Sequence, residues 1–318
     1  MKKILAAIAV VSGVVSVAYF NKNVDLPVVA IANYGPHASL EASLSGTKAE
    51  LADNGFIDGK TVRYDVADVG FDPALIPQMI TKLMASKPKV IIVKSTPVAQ
   101  FAKGKIRDIP LIFCDITDPV AAGILKDKTH SHENMTGGSD QEDLGLFLSF
   151  VKTILPKVKT VGLLYSTSES NDAALVKMMK DAAAKVGLSV VAIPVDQSRD
   201  IPMRMQEFRG KVDLIYVGTS GPIQPALPII ASEAQKMNIP VFNAEDQAVR
   251  DGLALASFGV SYESVGRNAG KLAAKILKGA AVKDLPPIFP QTKDHTCVVN
   301  KKLAEKFRIK IPENATKY

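Results

Sequence analysis

From Leu26 onward, short apolar runs alternate with stretches whose apolar residues recur every three or four positions, and both halves of the chain show this alternation. Parallel α/β sheets impose this pattern, because a helix must carry the chain back before the next parallel strand can be laid down. In the first half, strands are read at 28–32, 62–66, 90–93 and 111–114. Between them, Leu40, Leu44, Thr47 and Leu51 mark one helix, with Ser39 as its expected N-cap and Gly55 beyond its end. Leu75, Ile76, Met79, Ile80, Leu83 and Met84 mark a second, its methionines read as core filling. In the second half, strands are read at 160–165, 189–194, 212–217 and 241–243, with helices around 173–186 and 223–236. A strand near 253–258 and a helix from Tyr262 to Leu277, closed by Gly279, are expected to return to the first half.

The two halves repeat in detail. Ile109-Pro110-Leu111-Ile112-Phe113 returns as Ile239-Pro240-Val241-Phe242, an offset of 130. Lys89-Val90-Ile91-Ile92-Val93 is answered by Asp213-Leu214-Ile215-Tyr216-Val217 at 124, and Val29-Ala30-Ile31 by Val161-Gly162-Leu163 at 132. The expected fold is therefore α/β, two doubly wound parallel-sheet lobes with a ligand cleft between them. The N-terminal lobe is assigned 25–140 plus 253–288, and the C-terminal lobe 141–252 plus 289–318.

Residues 1–18 read as a leader. Lys2 and Lys3 precede an apolar run from Ile4 to Phe20, and the small residues Ser16-Val17-Ala18 stand before the polar Asn21-Lys22-Asn23, as in a cleaved secretory signal. An uncleaved anchor is the alternative, because the run is at the short limit of a membrane span. The chain is expected to be extracytoplasmic, or periplasmic. Its 39 Lys and Arg against 32 Asp and Glu give a net charge of +7, which falls to +5 without Lys2 and Lys3. No basic block is interleaved with aromatics, so no nucleic-acid partner is expected. Cys114 and Cys297 are read as buried thiols, with pairing in an oxidising compartment left open. His130-Ser131-His132-Glu133 is read as a solvated loop rather than a metal clip, and no metal or other cofactor is expected.

In open α/β sheets, ligands bind beyond the carboxyl ends of the strands. The loops there are 33–37, 94–97 and 115–119 in the first lobe, and 166–171, 218–221 and 243–246 in the second. Their residues are small, polar and partly acidic. Ser95-Thr96-Pro97 reads as a helix start whose free amides and hydroxyls suit a carboxylate, while Asp118, Glu169 and Glu245 suit an ammonium. A zwitterion such as an amino acid would use both, although the same residue types also cap helices.

The chain resembles the exported substrate-binding proteins of ABC transporters, in the group that binds tryptophan and other aromatic amino acids, with the type I periplasmic-binding-protein fold. The resemblance runs from about 26 to 290. It is carried by His37-Ala38-Ser39-Leu40-Glu41, Ser95-Thr96-Pro97-Val98-Ala99-Gln100, Thr117-Asp118-Pro119-Val120-Ala121-Ala122-Gly123 and Asn134-Met135-Thr136-Gly137-Gly138-Ser139-Asp140. Gly162-Leu163-Leu164-Tyr165 with Ser168-Glu169-Ser170-Asn171, and Gly266-Arg267-Asn268-Ala269-Gly270-Lys271-Leu272-Ala273, complete it. It implies that Ser95, Thr96, Thr117, Asp118, Ser139, Asp140, Ser168, Glu169 and Asn171 face the cleft. Ser220 and Glu245 join them from the loop reading, and Tyr34, His37 or Tyr165 would stack on an aromatic ligand. Ser220-Gly221 stands where the family usually shows Asp-Asn, and Glu41 replaces a common Asp, which leaves the specificity open.

The resemblance implies capture of a small, amino-acid-like molecule by closure of the lobes, and delivery by a monomeric receptor to a membrane permease. A sensor subunit of the same fold, signalling to a membrane receptor, is the alternative. An enzyme is not expected. No Gly-x-Ser-x-Gly elbow occurs, 266–271 lacks phosphate-loop spacing, and a triad of His37, Ser95 and Asp118 has no spacing rule behind it.

Overall fold

The computed structural model describes residues 26–313 and 315–318, so the leader expected at 1–18 lies outside the described residues. The first sheet comprises β1 (Val28–Ala32), β2 (Arg63–Ala67), β3 (Val90–Lys94), β4 (Leu111–Ile116) and β5 (Met135–Ser139), ordered β2-β1-β3-β4-β5 and all parallel. Every residue of β1, β3 and β4 is buried, whereas the edge strand β2 is half exposed. Both faces of a parallel sheet are covered by helices, which is why the central strands are continuous apolar runs. Of the helices in this half, α1 (Ala38–Asp53) covers one face, and α2 (Ile76–Ala85) and α3 (Thr96–Lys105) cover the other.

The second lobe begins with α4 (Leu144–Ile154). It continues through β6 (Thr160–Ser166), α5 (Ser170–Lys185), β7 (Ser189–Val195), α6 (Ile201–Gln206), β8 (Leu214–Val217), α7 (Leu227–Lys236), β9 (Val241–Asn243), α8 (Asp246–Arg250) and β10 (Ala256–Val260). After β10 come α9 (Tyr262–Leu277), β11 (His295–Val299), α10 (Lys301–Phe307) and β12 (Thr316–Lys317). The sheet order is β12-β11-β10-β9-β8-β6-β7, with only the β10–β11 pair antiparallel.

The sequence repeat is also a repeat of register. Val29 faces Val90 in the first sheet, and the residues 132 and 124 further on, Val161 and Leu214, face each other in the second. Likewise Ile91 faces Leu111, and Ile215 faces Val241. Each sheet thus reverses its strand order beside its own first strand, β1 or β6, the switch point where α/β sheets hold ligands.

Three expectations need correction. The strand near 253–258 does not return to the first lobe: it is β10, bonded between β9 and β11, because β9 would otherwise be left as a bare edge. The return begins at α9, which packs on α1, β3, β4 and β5, and ends where Ile288 bridges Gly138. Residue Ser39 is not the cap of α1. That position falls to His37, whose ring nitrogen Nδ1 lies 2.8 Å from Ser39 Oγ. The two cysteines lie in different sheets as free thiols, Cys114 buried but Cys297 half-buried.

The contact between α1 and α9 is close because it is built from small residues. A Cβ on Gly266 would stand 1.9 Å from the carbonyl oxygen of Ser43, and one on Gly46 2.2 Å from that of Glu263. Thr47 Oγ1 donates to the Gly266 carbonyl over 3.0 Å. This junction brings the first turns of α1 and α9, and with them Ser39 and Tyr262, to the cleft wall.

Candidate functional site

A cleft of about 480 Å³, counting its mouth, lies between the ends of the two sheets. Of the residues expected from the sequence, Tyr34, His37, Ser95, Thr96, Thr117, Asp140, Glu169, Asn171, Ser220 and Glu245 line it.

Asp118, Ser139 and Ser168 do not. Asp118 Oδ1 accepts from the amides of Val120 and Ala121, tying off the turn after β4. Ser139 is buried and donates to the Ile116 carbonyl, closing the bulge between β4 and β5. Ser168 Oγ is engaged with Ser166 Oγ at 2.8 Å. Tyr165 is also absent from the lining. His130 is hydrogen bonded to Asp127 in an exposed turn, and among the described residues no His, Cys, Asp and Glu group is arranged to hold a metal.

Phe71, Gln224 and Tyr262 line the cleft without having been marked in the sequence. Phe71 stands edge-on to Tyr34, with ring centroids 5.5 Å apart. Tyr262 donates to Asp140 Oδ2 over 3.1 Å, and Gln224 Nε2 to the Gly218 carbonyl over 3.0 Å.

Three of the seven non-glycine residues with positive φ among the described residues lie here. Ser95 has φ 70° and ψ 152°, Asp115 has φ 59° and Phe71 has φ 65°, and all three line the cleft. Side chains other than glycine rarely adopt these angles, which cost about 1–3 kcal/mol each and persist where the surroundings enforce them. Lys94 enforces the Asp115 conformation. Its Nζ, fully buried, donates to Asp115 Oδ2 at 2.8 Å and to the Leu40 carbonyl at 2.9 Å, and contacts Ser43 Oγ. Ser95, Thr96 and Pro97 at the start of α3 line the cleft, and the amides of Thr96 and Val98 have no acceptor among the described residues.

Carboxyl groups dominate the remaining wall. Burial, reinforced by the charge of Asp115, raises Asp140 to about 7, and its Oδ1 has no hydrogen-bond partner among the described residues. Burial raises Glu245, which caps the start of α8, to about 8. His37 lies 3.7 Å from it, beyond hydrogen-bond reach, and burial pushes the imidazole below its ordinary value. From the second lobe, Glu169 is pushed up by burial, and Asp172 rises to about 7 through burial and the nearby Glu169. Asn171 Oδ1 is a second buried acceptor without a partner. The lobes also touch directly. Tyr34 donates to Glu169 over 2.9 Å, Thr117 and Thr219 hydroxyls lie 2.9 Å apart, and Ser170 donates to Gln100 over 3.0 Å.

The cleft therefore offers amide donors from one lobe, partnerless acceptors from both, and aromatic rings between them.

Comparison with known proteins agrees with this architecture. A tyrosine-binding protein of Clostridioides difficile is 34% identical over 258 residues, covering 81% of this chain and 74% of the relative. A Streptococcus pneumoniae ABC domain solved in complex with L-Trp is 30% identical, with a TM-score of 0.86 over 92% of this chain and 99% of that one. A ligand-free, open substrate-binding protein with adhesive properties from Clostridium difficile is 32% identical, with a TM-score of 0.72 over the same shares. Those relatives are binding proteins rather than enzymes. The family model described as ABC transporter substrate binding protein matches residues 28–318, and the chain belongs to that family.

Proposed function

We propose that this chain is the extracytoplasmic receptor of an ABC importer, exported by its leader, which captures an aromatic amino acid by closing its lobes and hands it to a membrane permease. The observation that carries this reading is the two-ended chemistry of the cleft. The free amides of Thr96 and Val98 suit the ligand carboxylate, and Asp140 Oδ1 with Asn171 Oδ1 suits the ammonium. Phe71, Tyr34 and Tyr262 supply aromatic surface for a ring.

Closure is supported by the direct bonds between lobes and by the better match to the L-Trp complex than to the open, ligand-free relative at similar identity. A ligand touching both lobes binds the closed form better and shifts the population toward it.

The test is to unfold and refold the chain from residue 19 to strip carried-over ligand, then titrate it with each amino acid. Tryptophan, tyrosine or phenylalanine at about 1,000 times its dissociation constant should stabilise the protein by about 4 kcal/mol. If none of the amino acids raises the unfolding temperature, the reading is wrong. Loss of labelled amino-acid uptake on deleting the gene would test the permease step.

A further inference from the structure

Glu169 is held from three sides, and one of its holders belongs to the other lobe. Its Oε1 accepts from the Tyr34 hydroxyl over 2.9 Å, and its Oε2 accepts from Asn171 Nδ2 and from the Gly221 amide, both over 3.2 Å. Burial and the adjacent carboxylate push the Tyr34 phenol up, so it stays protonated and donates.

The reach of Tyr34 depends on what is missing at 221. A Cβ there would lie 2.7 Å from Glu169 Oε1 and 2.7 Å from Tyr34 Cε1, closer than real contacts allow. Neither neighbour can yield cheaply: the carboxylate is fixed by its three donors, and the Tyr34 ring is buried edge-on against Phe71. The backbone of Gly221 is not in the left-handed region, so an alanine would be resisted by crowding alone.

We infer that Gly221 is a specificity-determining position: lacking a side chain, it lets Tyr34 clasp Glu169 across the cleft, coupling closure of the lobes to the placement of Asn171, whose Nδ2 is hydrogen bonded to Glu169 and whose partnerless Oδ1 a primary ammonium ligand meets. Tyr34 acts as a positioning residue in this clasp, and the clasp favours the closed form whether or not ligand is present. The ammonium part of this inference rests on the function proposed above.

The experiment compares the mature chain with Gly221→Ala, Tyr34→Phe and the double variant. Calorimetry with L-tryptophan, L-tyrosine and L-phenylalanine reads affinity, and solution scattering of the ligand-free proteins reads closure. Each single variant should weaken the bound amino acid by about tenfold or more, the scale of a hydrogen bond to a charged group. The double variant should lose no more than the worse single one, because both break one clasp. Both variants should show a larger radius of gyration than the parent.

Binding by Gly221→Ala within about twofold of the parent, or losses that multiply in the double variant, would overturn the clasp. If the parent binds none of the three amino acids, the proposed ligand class fails. The clasp is then decided by scattering alone, and unchanged radii would overturn it. If Gly221→Ala does not fold, Tyr34→Phe, which removes only the hydroxyl, carries the same comparison.

Discussion

Lys94 Nζ donates to Asp115 Oδ2 over 2.8 Å, with both side chains almost completely sealed from water. Removing one partner of such a pair strands a buried charge, which costs about 3–5 kcal/mol. Lys94→Met is expected to lower stability by that amount, and Lys94→Met with Asp115→Asn to recover most of it. Chemical denaturation measures both. A single variant as stable as the parent would show that the pair does not hold the end of β4 in place.

Ser95 occupies backbone angles that glycine accepts and serine resists. Ser95→Gly is expected to stabilise the ligand-free protein by about 1 kcal/mol, the relief of strain exceeding glycine's entropic disadvantage. Ser95→Ala keeps the strain and should bring no such gain. If the two variants unfold at the same temperature, the loop is not strained as described.

The acidic wall predicts opposite responses of stability and binding to pH. Asp140 and, beside Glu169, Asp172 sit at about 7 and Glu245 at about 8, all raised chiefly by burial. Asp115, Lys94 and Tyr262 are the groups that further tune Asp140. The folded, ligand-free protein therefore holds protons that the unfolded chain releases near pH 4. The stability these groups contribute is complete below that pH and is lost as pH climbs through 7 to 8. An ammonium ligand favours the ionised carboxylates, so its binding should tighten over the same window and release protons. Calorimetry in buffers of different ionisation enthalpy checks this, and an affinity that is flat from about pH 6 to about pH 8 would contradict it.

The α1–α9 junction predicts a contrast between two glycines. Gly266→Ala forces a methyl to within 1.9 Å of the Ser43 carbonyl and should cost about 3 kcal/mol through overpacking. Gly104→Ala, in α3 with no atom within 4 Å, should gain up to about 1 kcal/mol from helix propensity. Thermal unfolding of the pair separates the two effects, and equal effects would argue against close contact at Gly266.

The two-lobe plan was legible because buried parallel strands must be apolar throughout, so runs such as 90–93 and 111–114 stand out without help from tertiary context. The fate of 253–258 was not. Which sheet a strand joins depends on which edge lies open, and nothing in its own residues records that. In the cleft, residues at strand ends such as Ser95 and Glu169 could be listed from position alone. Asp118, Ser139 and Ser168 share those positions, but their side chains are taken up by local backbone and hydroxyl partners. Phe71 and Tyr262 reach the cleft from a loop after an edge strand and from a helix crossing between lobes, so no local period marks them.

The matched register of the two sheets makes positions across the cleft counterparts of one another. Counting 132 residues on from His37, the residue before α1, arrives at Glu169, the residue before α5. Counting 124 on from Ser95 arrives at Thr219, and 130 on from Asp115 at Glu245. A scaffold of two equivalent halves would by itself greet both ends of a ligand alike. Here a neutralised imidazole answers a carboxylate, and an aspartate tied to a buried lysine answers a glutamate with no such cation. The cleft thus breaks its own pseudo-symmetry at paired sites. Exchanging residues between counterparts, rather than altering either alone, is the natural way to reverse the orientation in which a two-ended guest is held.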